Sequence, residues 1–230
     1  MNTPIDPVLL MRLPVLPRRR FALLGSRRAE AAYTALNQAL AAVLLVLLSP
    51  VMLYVAWRIR RDDGAPLLFA HYRVGQRGQL FRCLKFRTMR QRADVLLAEL
   101  LARDPQARAE WERDHKLRDD PRVSAIGRML RKTSLDELPQ LFNVLRGQMH
   151  LVGPRPVVVQ EVPRYGAHKG HYLSVKPGMT GLWQVSGRNN TSYAERVQLD
   201  ARYVETRSPW ADLAILARTA KVLVTREGAC

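Results

Sequence analysis

The sequence predicts an α/β fold that is mostly helical and contains a small β-hairpin, and three features support this. A long uncharged run near the N-terminus, from Ala31 to Trp57, has the length and apolar content of one long helix. Two strand-like runs around a glycine-containing turn, within residues 66–89, predict the hairpin. Short amphipathic segments with helix-start and helix-stop residues, such as 123–131 and 135–145, predict the helices of a compact domain.

Composition indicates a folded protein with an anionic partner. The chain has 230 residues, of which 47% are hydrophobic and 25% charged, enough for one domain with a core. Its formal net charge is +17, which favours nucleic acid, an anionic lipid surface or a phosphorylated substrate and leaves the choice among them open. We divide the chain into a basic arm (residues 1–30), an apolar helix (31–61) and a domain (62–230).

The apolar run has two possible relations to a membrane. Crossing a bilayer takes about 20 apolar residues, so the run is long enough. Arginines flank it on both sides, at 27–28 and 58–61, and the positive-inside rule places both flanks on the cytoplasmic side. Proline bends or breaks a helix, and Ser49-Pro50 lies within the run. A re-entrant helix that breaks there and a kinked spanning helix both remain open from these residues alone.

The remaining elements follow from periodicity and from breakers. In the second strand of the hairpin, alternation places Lys85 and Arg87 on one face. Residues 151–190 are rich in proline and glycine and predict loops, and Ser208-Pro209 supplies the cap and first residue of a final amphipathic helix. Helical periodicity recurs in four other segments: residues 91–118, interrupted at Pro105, and residues 123–131, 135–145 and 193–204.

Two adjacent acids, Asp136 and Glu137, are open to a structural and a chemical interpretation. Ser134 followed by Glu137 matches a capping box, so both acids could simply complement a helix dipole. However, Pro139 removes an early helical hydrogen bond, and Arg131 lies just upstream. Cations favour an ionised aspartate, which is a competent nucleophile at phosphorus, and a neighbouring glutamate suits Mg²⁺.

Two further segments can also be interpreted either as ligand-binding or as purely structural. Arg155 lies between Pro154 and Pro156, so its stiffened backbone loses little entropy when the guanidinium binds a phosphate. An ordinary turn with a solvated arginine explains the same residues. Trp183, in a glycine-rich stretch, either stacks on a base or packs in the core.

Together, five segments resemble the monotopic phosphoglycosyl transferases, also called bacterial sugar transferases. One such motif is weak evidence, whereas five in the family's order are specific. They are Lys85-Phe86-Arg87-Thr88-Met89, Ser134-Leu135-Asp136-Glu137-Leu138-Pro139-Gln140-Leu141, Val152-Gly153-Pro154-Arg155-Pro156, Pro177-Gly178-Met179-Thr180-Gly181-Leu182-Trp183-Gln184 and Leu199-Asp200-Ala201-Arg202-Tyr203-Val204.

This resemblance implies a fold and a set of site residues. The apolar run would be a re-entrant membrane helix broken at Ser49-Pro50, followed by a cytosolic catalytic domain with amphipathic interfacial helices. Asp136 would be the nucleophile, and Glu137 its partner and a Mg²⁺ ligand. Three cations would face the donor's diphosphate and another acid would complete the site: Lys85, Arg131, Arg155 and Asp200.

The resemblance also implies a reaction and partners. In a ping-pong reaction, a hexose 1-phosphate, galactose or glucose, would pass from a UDP-sugar through an aspartyl phosphosugar to undecaprenyl phosphate, with release of UMP. This would begin exopolysaccharide or O-antigen assembly at the cytoplasmic face of the inner membrane, on anionic lipids. We expect no nucleic-acid partner, and a homodimer is possible. The alternative is an inactive, membrane-tethered basic protein that serves in binding or assembly.

Overall fold

The computed structural model describes residues 27–225, except 115–116, 118 and 187–190. Most of the predicted basic arm, residues 1–26, lies outside the described residues. The helices and strands, in chain order, are α1 (Arg27–Asp63), β1 (Leu68–Val74), β2 (Leu80–Phe86), α2 (Ala93–Arg103), α3 (Pro105–Asp114), α4 (Ala125–Thr133), α5 (Gln140–Leu145), β3 (His150–Val152), α6 (Lys169–Ser174), β4 (Gly178–Thr180), α7 (Tyr193–Thr206) and α8 (Pro209–Thr225). Short 3-10 turns cover Gln76–Gly78, Leu135–Glu137, Val159–His168 and Trp183–Val185.

In the described part of the chain, the strands form two small sheets. The predicted hairpin is confirmed: β1 and β2 pair antiparallel, from Leu68 opposite Phe86 to Val74 opposite Leu80. A parallel pairing of β3 with β4 was not predicted, and the segment 151–190, predicted as loop-rich, contains these short strands besides its turns. Each of these strands has three residues, too few to produce a periodic pattern that sequence could reveal.

Helix α1 passes through Ser49 and Pro50 without losing its helical structure. The predicted break at Ser49-Pro50 is therefore wrong, because the helix is not interrupted at this position. Proline at position 50 has no N–H to donate to the carbonyl of Val46, four residues earlier. The Ser49 hydroxyl donates to that same carbonyl at 2.7 Å. Because the freed acceptor is satisfied by a neighbouring side chain, the helix continues.

Both ends of α1 are tied to the domain. Near its start, the Glu30 carboxylate pairs with Arg207 at 2.5 Å, and at its end Asp63 pairs with Arg87 at 3.0 Å. Further along the same part of α1, the side chain of Asn37 accepts a hydrogen bond from the Leu151 N–H at 2.9 Å. The helix therefore begins four residues before the predicted 31–61 segment, and its first turns belong to the domain's own packing.

The middle of α1 has one buried face and one exposed apolar face. Ala41, Val55 and Ile59 are almost completely buried against the domain. On the other side the exposed fractions reach 73% at Val46 and 67% at Leu47. Within the described residues, α1 has the length and composition to cross a membrane. An exposed apolar surface of this kind is typical of a face that contacts lipid or a partner.

Three hydrophobic clusters surround the region where the predicted site residues meet. The first cluster lies around α5 and β3, the second lies between the C-terminal half of α1 and α4, and the third lies around the segment that follows β3. Their buried members include Leu141, Val144 and Met149 in the first cluster, Val55, Ile59, Phe86 and Leu130 in the second, and Val74, Val157, Tyr165 and Tyr172 in the third.

Candidate active site

The two adjacent acids lie in a tight turn between α4 and α5, and the predicted capping box is wrong. Ser134 ends α4 with a left-handed backbone (φ 57°), and its side chain makes no capping hydrogen bond. Leu135–Glu137 then forms a 3-10 turn, and Pro139 separates it from α5, so the single predicted helix over 135–145 is divided. A non-glycine residue with this backbone costs about 1–2 kcal/mol, and such strain concentrates at functional sites.

Apolar residues on either side of the acids fix this turn. Leu135 and Leu138 both pack against the buried cluster that contains Val55 and Ile59 of α1. The intervening Asp136 is 8% exposed. Helix α1 therefore supports the backbone from which both carboxylates project.

Hydrogen bonds between the side chain of Asn143 in α5 and the backbone of β2 hold Lys85 close to the acids. The side chain of Asn143 in α5 accepts the Leu84 N–H at 3.0 Å and donates to the Arg82 carbonyl at 2.8 Å. The adjacent Lys85 Nζ lies 2.6 Å from Glu137 Oε1 and 3.7 Å from Asp136 Oδ2. One ammonium group thus bridges both carboxylates, in agreement with the sequence-based grouping of these residues.

The surroundings push the pKa values of the two acids in opposite directions. Burial raises the pKa of Asp136 above its ordinary value, and the Glu137 charge adds to this, although Lys85 and Arg131 oppose it. Burial also acts to raise the pKa of Glu137, but Lys85 and Arg155 outweigh it and hold that pKa below its ordinary value. Neighbouring carboxyl groups that titrate apart are typical of sites where each has a separate role.

Arg131 lies on the exposed surface of α4, beside the acids. Its Nε donates to the Thr88 hydroxyl at 3.0 Å, and its charge lowers the pKa of Asp136. Arg87, predicted to share a face with Lys85, lies beyond the end of β2 and binds Asp63 and the Gly64 carbonyl instead.

Arg155 is positioned by a close contact between two glycine-containing segments. A Cβ at Gly178 would lie 2.0 Å from the Gly153 nitrogen, so the backbones before Arg155 and along β4 approach as only glycine permits. The Arg155 guanidinium then lies 5.5 Å from the centre of the Trp183 ring, and its charge lowers the pKa of Glu137. Trp183 is 7% exposed, in agreement with packing in the core rather than with an open stacking face.

Asp200 forms a second buried acidic position on α7. Tyr165 donates its hydroxyl to Asp200 Oδ2 at 2.8 Å. Burial raises the pKa of Asp200 to about 7, although the Tyr165 hydrogen bond and the charges of Arg196 and Arg155 oppose this. The Arg155 backbone and charge both lower the pKa of Asp200, and the same charge lowers the pKa of Glu137, so Arg155 lies near both acids.

Four residues near the site were not found from the sequence: Arg73, Glu161, Tyr165 and Arg196. Arg73 pairs with Glu161 at 3.7 Å, and burial and Arg155 lower the pKa of this arginine. One signal could have identified Arg196, because it precedes Asp200 by four residues in a predicted helix and so shares its face. The other three lie in segments whose contacts are not local in sequence.

The turn Leu135–Glu137 offers carboxylate oxygens as possible metal ligands. The described part of the chain holds no group of three or more His, Cys, Asp and Glu side chains able to bind a metal. Asp136 and Glu137 nevertheless offer two adjacent carboxylates. Mg²⁺ is commonly held by one or two carboxylates together with substrate phosphates, so these residues fit a magnesium ion that a phosphorylated substrate helps to bind.

Comparison with known proteins gives consistent matches over this region. A family model described as bacterial sugar transferase matches residues 29–226. The undecaprenyl-phosphate galactose phosphotransferase of Salmonella typhimurium is 56% identical over 187 residues, which cover 81% of this chain and 39% of that protein.

Two further relatives are matched over more of their own length. The exopolysaccharide production protein ExoY of Rhizobium meliloti is 47% identical over 188 residues, 82% of this chain and 83% of that protein. The UDP-glucose:undecaprenyl-phosphate glucose-1-phosphate transferase of Caulobacter vibrioides is 40% identical over 197 residues, 82% and 68% respectively. The chain thus spans about two fifths of the Salmonella relative and most of ExoY.

Proposed function

Because the chain belongs to the bacterial sugar transferase family, we propose that it transfers a hexose 1-phosphate from a UDP-sugar to undecaprenyl phosphate and releases UMP. Galactose or glucose is the proposed sugar, because the Salmonella and Caulobacter relatives carry these sugars in their names. The similarity to ExoY supports a place at the start of exopolysaccharide assembly. One observation carries the proposal: Asp136 is buried beside Glu137, with Lys85 bridging both.

We assign the nucleophilic step to Asp136. One of its carboxylate oxygens forms a bond to the sugar-bearing phosphorus, while the bond from that phosphorus to the bridging oxygen breaks and UMP leaves with that oxygen. An oxygen of undecaprenyl phosphate then attacks the same phosphorus, and the bond to Asp136 breaks to regenerate the carboxylate. Neither step consumes a proton. Lys85, Arg131 and Arg155 neutralise the charge that accumulates on the phosphate oxygens.

Glu137 is the residue that we propose as the Mg²⁺ ligand. Its lowered pKa supports this role, because a metal ligand has to remain ionised. When bound, Mg²⁺ neutralises phosphate charge and orients the diphosphate. The protein's own contribution is to hold Glu137 next to Asp136 in the turn that Leu135 and Leu138 fix.

A monotopic membrane association is supported by the packing of α1. Both ends of this helix pair with arginines of one domain, Arg207 and Arg87, which supports a topology with both ends on the domain's side of the membrane. A helix that spans the bilayer places its ends on opposite sides. We therefore propose that α1 enters the membrane with its exposed face, around Val46 and Leu47, and that its ends stay at the cytoplasmic surface. Trp210, 80% exposed on α8, is suited to the same interface.

Release of UMP by the purified full chain tests this function. The chain, in lipid nanodiscs with Mg²⁺, is incubated with a panel of UDP-sugars with and without undecaprenyl phosphate. We expect lipid-dependent turnover with UDP-galactose or UDP-glucose, and none in Asp136→Asn.

Asp212→Asn is the matched control for this variant. Asp212 is 7% exposed, against 8% for Asp136, and lies at the contact of α8 with Tyr33 of α1. We expect it to retain turnover in protein that remains folded. If the folded wild type releases no UMP from any of these donors, the proposed function is wrong and the inactive assembly protein becomes the better account.

A further inference from the structure

A cluster of buried polar atoms near Arg155 has no hydrogen-bond partner among the residues that the structure describes. Its donors are Nε1 of Trp183 and Nε and Nη2 of Arg196, and its acceptor is Oδ1 of Asp200. Trp183 is 7% exposed and Asp200 1% exposed. Buried polar groups are normally paired, so several unpaired ones in one place indicate a common partner that the protein does not itself supply.

The three side chains form one group. The Arg196 guanidinium lies 4.9 Å from the centre of the Trp183 ring, and its charge lowers the pKa of Asp200, one helical turn further along α7. Tyr165 donates to Oδ2 of Asp200, and the Arg155 backbone N–H is close enough to lower the pKa of this carboxyl, whereas Oδ1 has no hydrogen-bond partner among the described residues. The group thus offers three donor positions and one acceptor position.

Arg155 connects this group with the reacting centre. Its guanidinium lies 5.5 Å from the centre of the Trp183 ring, and its charge lowers the pKa of both Glu137 and Asp200. Arg155 therefore lies close both to Trp183 in this group and to the carboxylate of Glu137. Arg155 itself is only half-buried.

We propose that Trp183, Arg196 and Asp200 bind hydroxyl groups of the sugar that is transferred, an inference that rests on the proposed function. A hydroxyl both donates and accepts hydrogen bonds, which matches this mixture of donors and an acceptor. A phosphate only accepts at its ionised oxygens and places its charge next to Asp200. Arg155 and Arg196 both lie over the Trp183 ring, so its N–H edge, rather than a stacking face for uracil, is offered to the ligand.

The test combines conservative variants with donors that lack one hydroxyl. Trp183→Phe removes the indole N–H and keeps an aromatic ring, Arg196→Lys keeps the charge and removes the planar fork, and Asp200→Asn removes the ionisable acceptor. Each is assayed for kcat and KM with the parent UDP-hexose and with its singly deoxygenated analogues. We expect a 10- to 100-fold loss of kcat/KM with the parent donor and almost none with the one analogue whose missing hydroxyl was the partner.

Two controls distinguish the loss of a sugar contact from damage to the fold or to nucleotide binding. Asp212→Asn, another buried acid that tyrosines contact, is expected to change kcat/KM equally for all donors. Binding of UMP, which lacks the hexose, is expected to be unchanged in the three site variants. A loss that is equal for every deoxygenated donor, or UMP binding that weakens as much as UDP-hexose binding, overturns the sugar subsite. If the wild type turns over no UDP-sugar, the proposed function fails and the subsite fails with it.

Discussion

Replacing Lys85 by glutamine tests whether this cation keeps Asp136 ionised. The Lys85 Nζ lies 3.7 Å from Asp136 Oδ2. Coulomb's law at this separation gives about 1 kcal/mol in a water-like dielectric and about 4–5 kcal/mol at an effective dielectric constant of about 20. The Lys85 side chain is 30% exposed, which favours the lower part of this range. Since about 1.4 kcal/mol corresponds to one pKa unit, removing Lys85 raises the pKa of Asp136 by about 1–2 units.

The assay is the pH dependence of kcat/KM for UMP release. Burial already raises the pKa of Asp136, and the nucleophile must be ionised, so activity falls as the pH decreases through that pKa. We expect the acid limb of the profile to move to higher pH by about 1 unit or more in Lys85→Gln. Lys85→Arg, which retains the charge, is expected to move the limb much less.

Lys176→Gln is the matched control, because Lys176 is also partly buried but contacts Thr34 of α1. This control is expected to leave the acid limb in place. An acid limb that is equally unmoved in Lys85→Gln refutes the assignment of the limb to Asp136 under the influence of Lys85. If Lys85→Gln is too slow to assay, the pH dependence of thermal stability in the two glutamine variants provides the same comparison.

Three other variants test separate parts of the account. Gly178→Ala places a Cβ 2.0 Å from the Gly153 nitrogen, so we expect a loss of about 1–3 kcal/mol in the free energy of unfolding, and an unchanged denaturation midpoint contradicts the close contact. Burial raises the pKa of Asp212 to about 7, so its contribution to stability is largest at low pH and is lost as the pH rises toward 7. Asp212→Asn removes this dependence. As the pH rises from 4 to 8, we expect the free energy of unfolding of the variant to increase relative to that of the wild type by about 2–4 kcal/mol. A difference between the two proteins that stays constant with pH disproves the raised pKa. Leu47→Glu places a charge on the exposed face of α1, and we expect the folded chain to lose most of its binding in a vesicle flotation assay, which full retention of binding contradicts.

Sequence patterns predicted the elements whose signal is local. The hairpin, the division of the charged segment at Pro105, and the last two helices all follow from turn residues, breakers or caps within a few positions. Ser208 behaves as predicted, accepting the Ala211 N–H at 3.2 Å at the start of α8. Lys85, Asp136 and Glu137 could be grouped because the motifs that contain them resemble one family, and the structure brings them together.

The features that sequence reasoning missed depend on contacts between distant segments. The capping box at Ser134 failed because packing of Leu135 and Leu138 on α1 imposes a 3-10 turn, which overrides the local preference. The helix break at Ser49-Pro50 failed because one side-chain hydrogen bond replaces the one that proline removes. The polar cluster around Asp200 stayed hidden because Tyr165 and Trp183 reach it from separate segments.

The most direct test of the central claim is the mass of the intact protein after incubation with the preferred UDP-hexose and Mg²⁺ in the absence of undecaprenyl phosphate. We predict an increase equal to one hexose phosphate group, located at Asp136 by peptide mapping, lost when undecaprenyl phosphate is added, and absent from Asp136→Asn. A chain that releases UMP in a lipid-dependent reaction but never carries this group, or carries it on another residue, contradicts the role of Asp136 as the nucleophile.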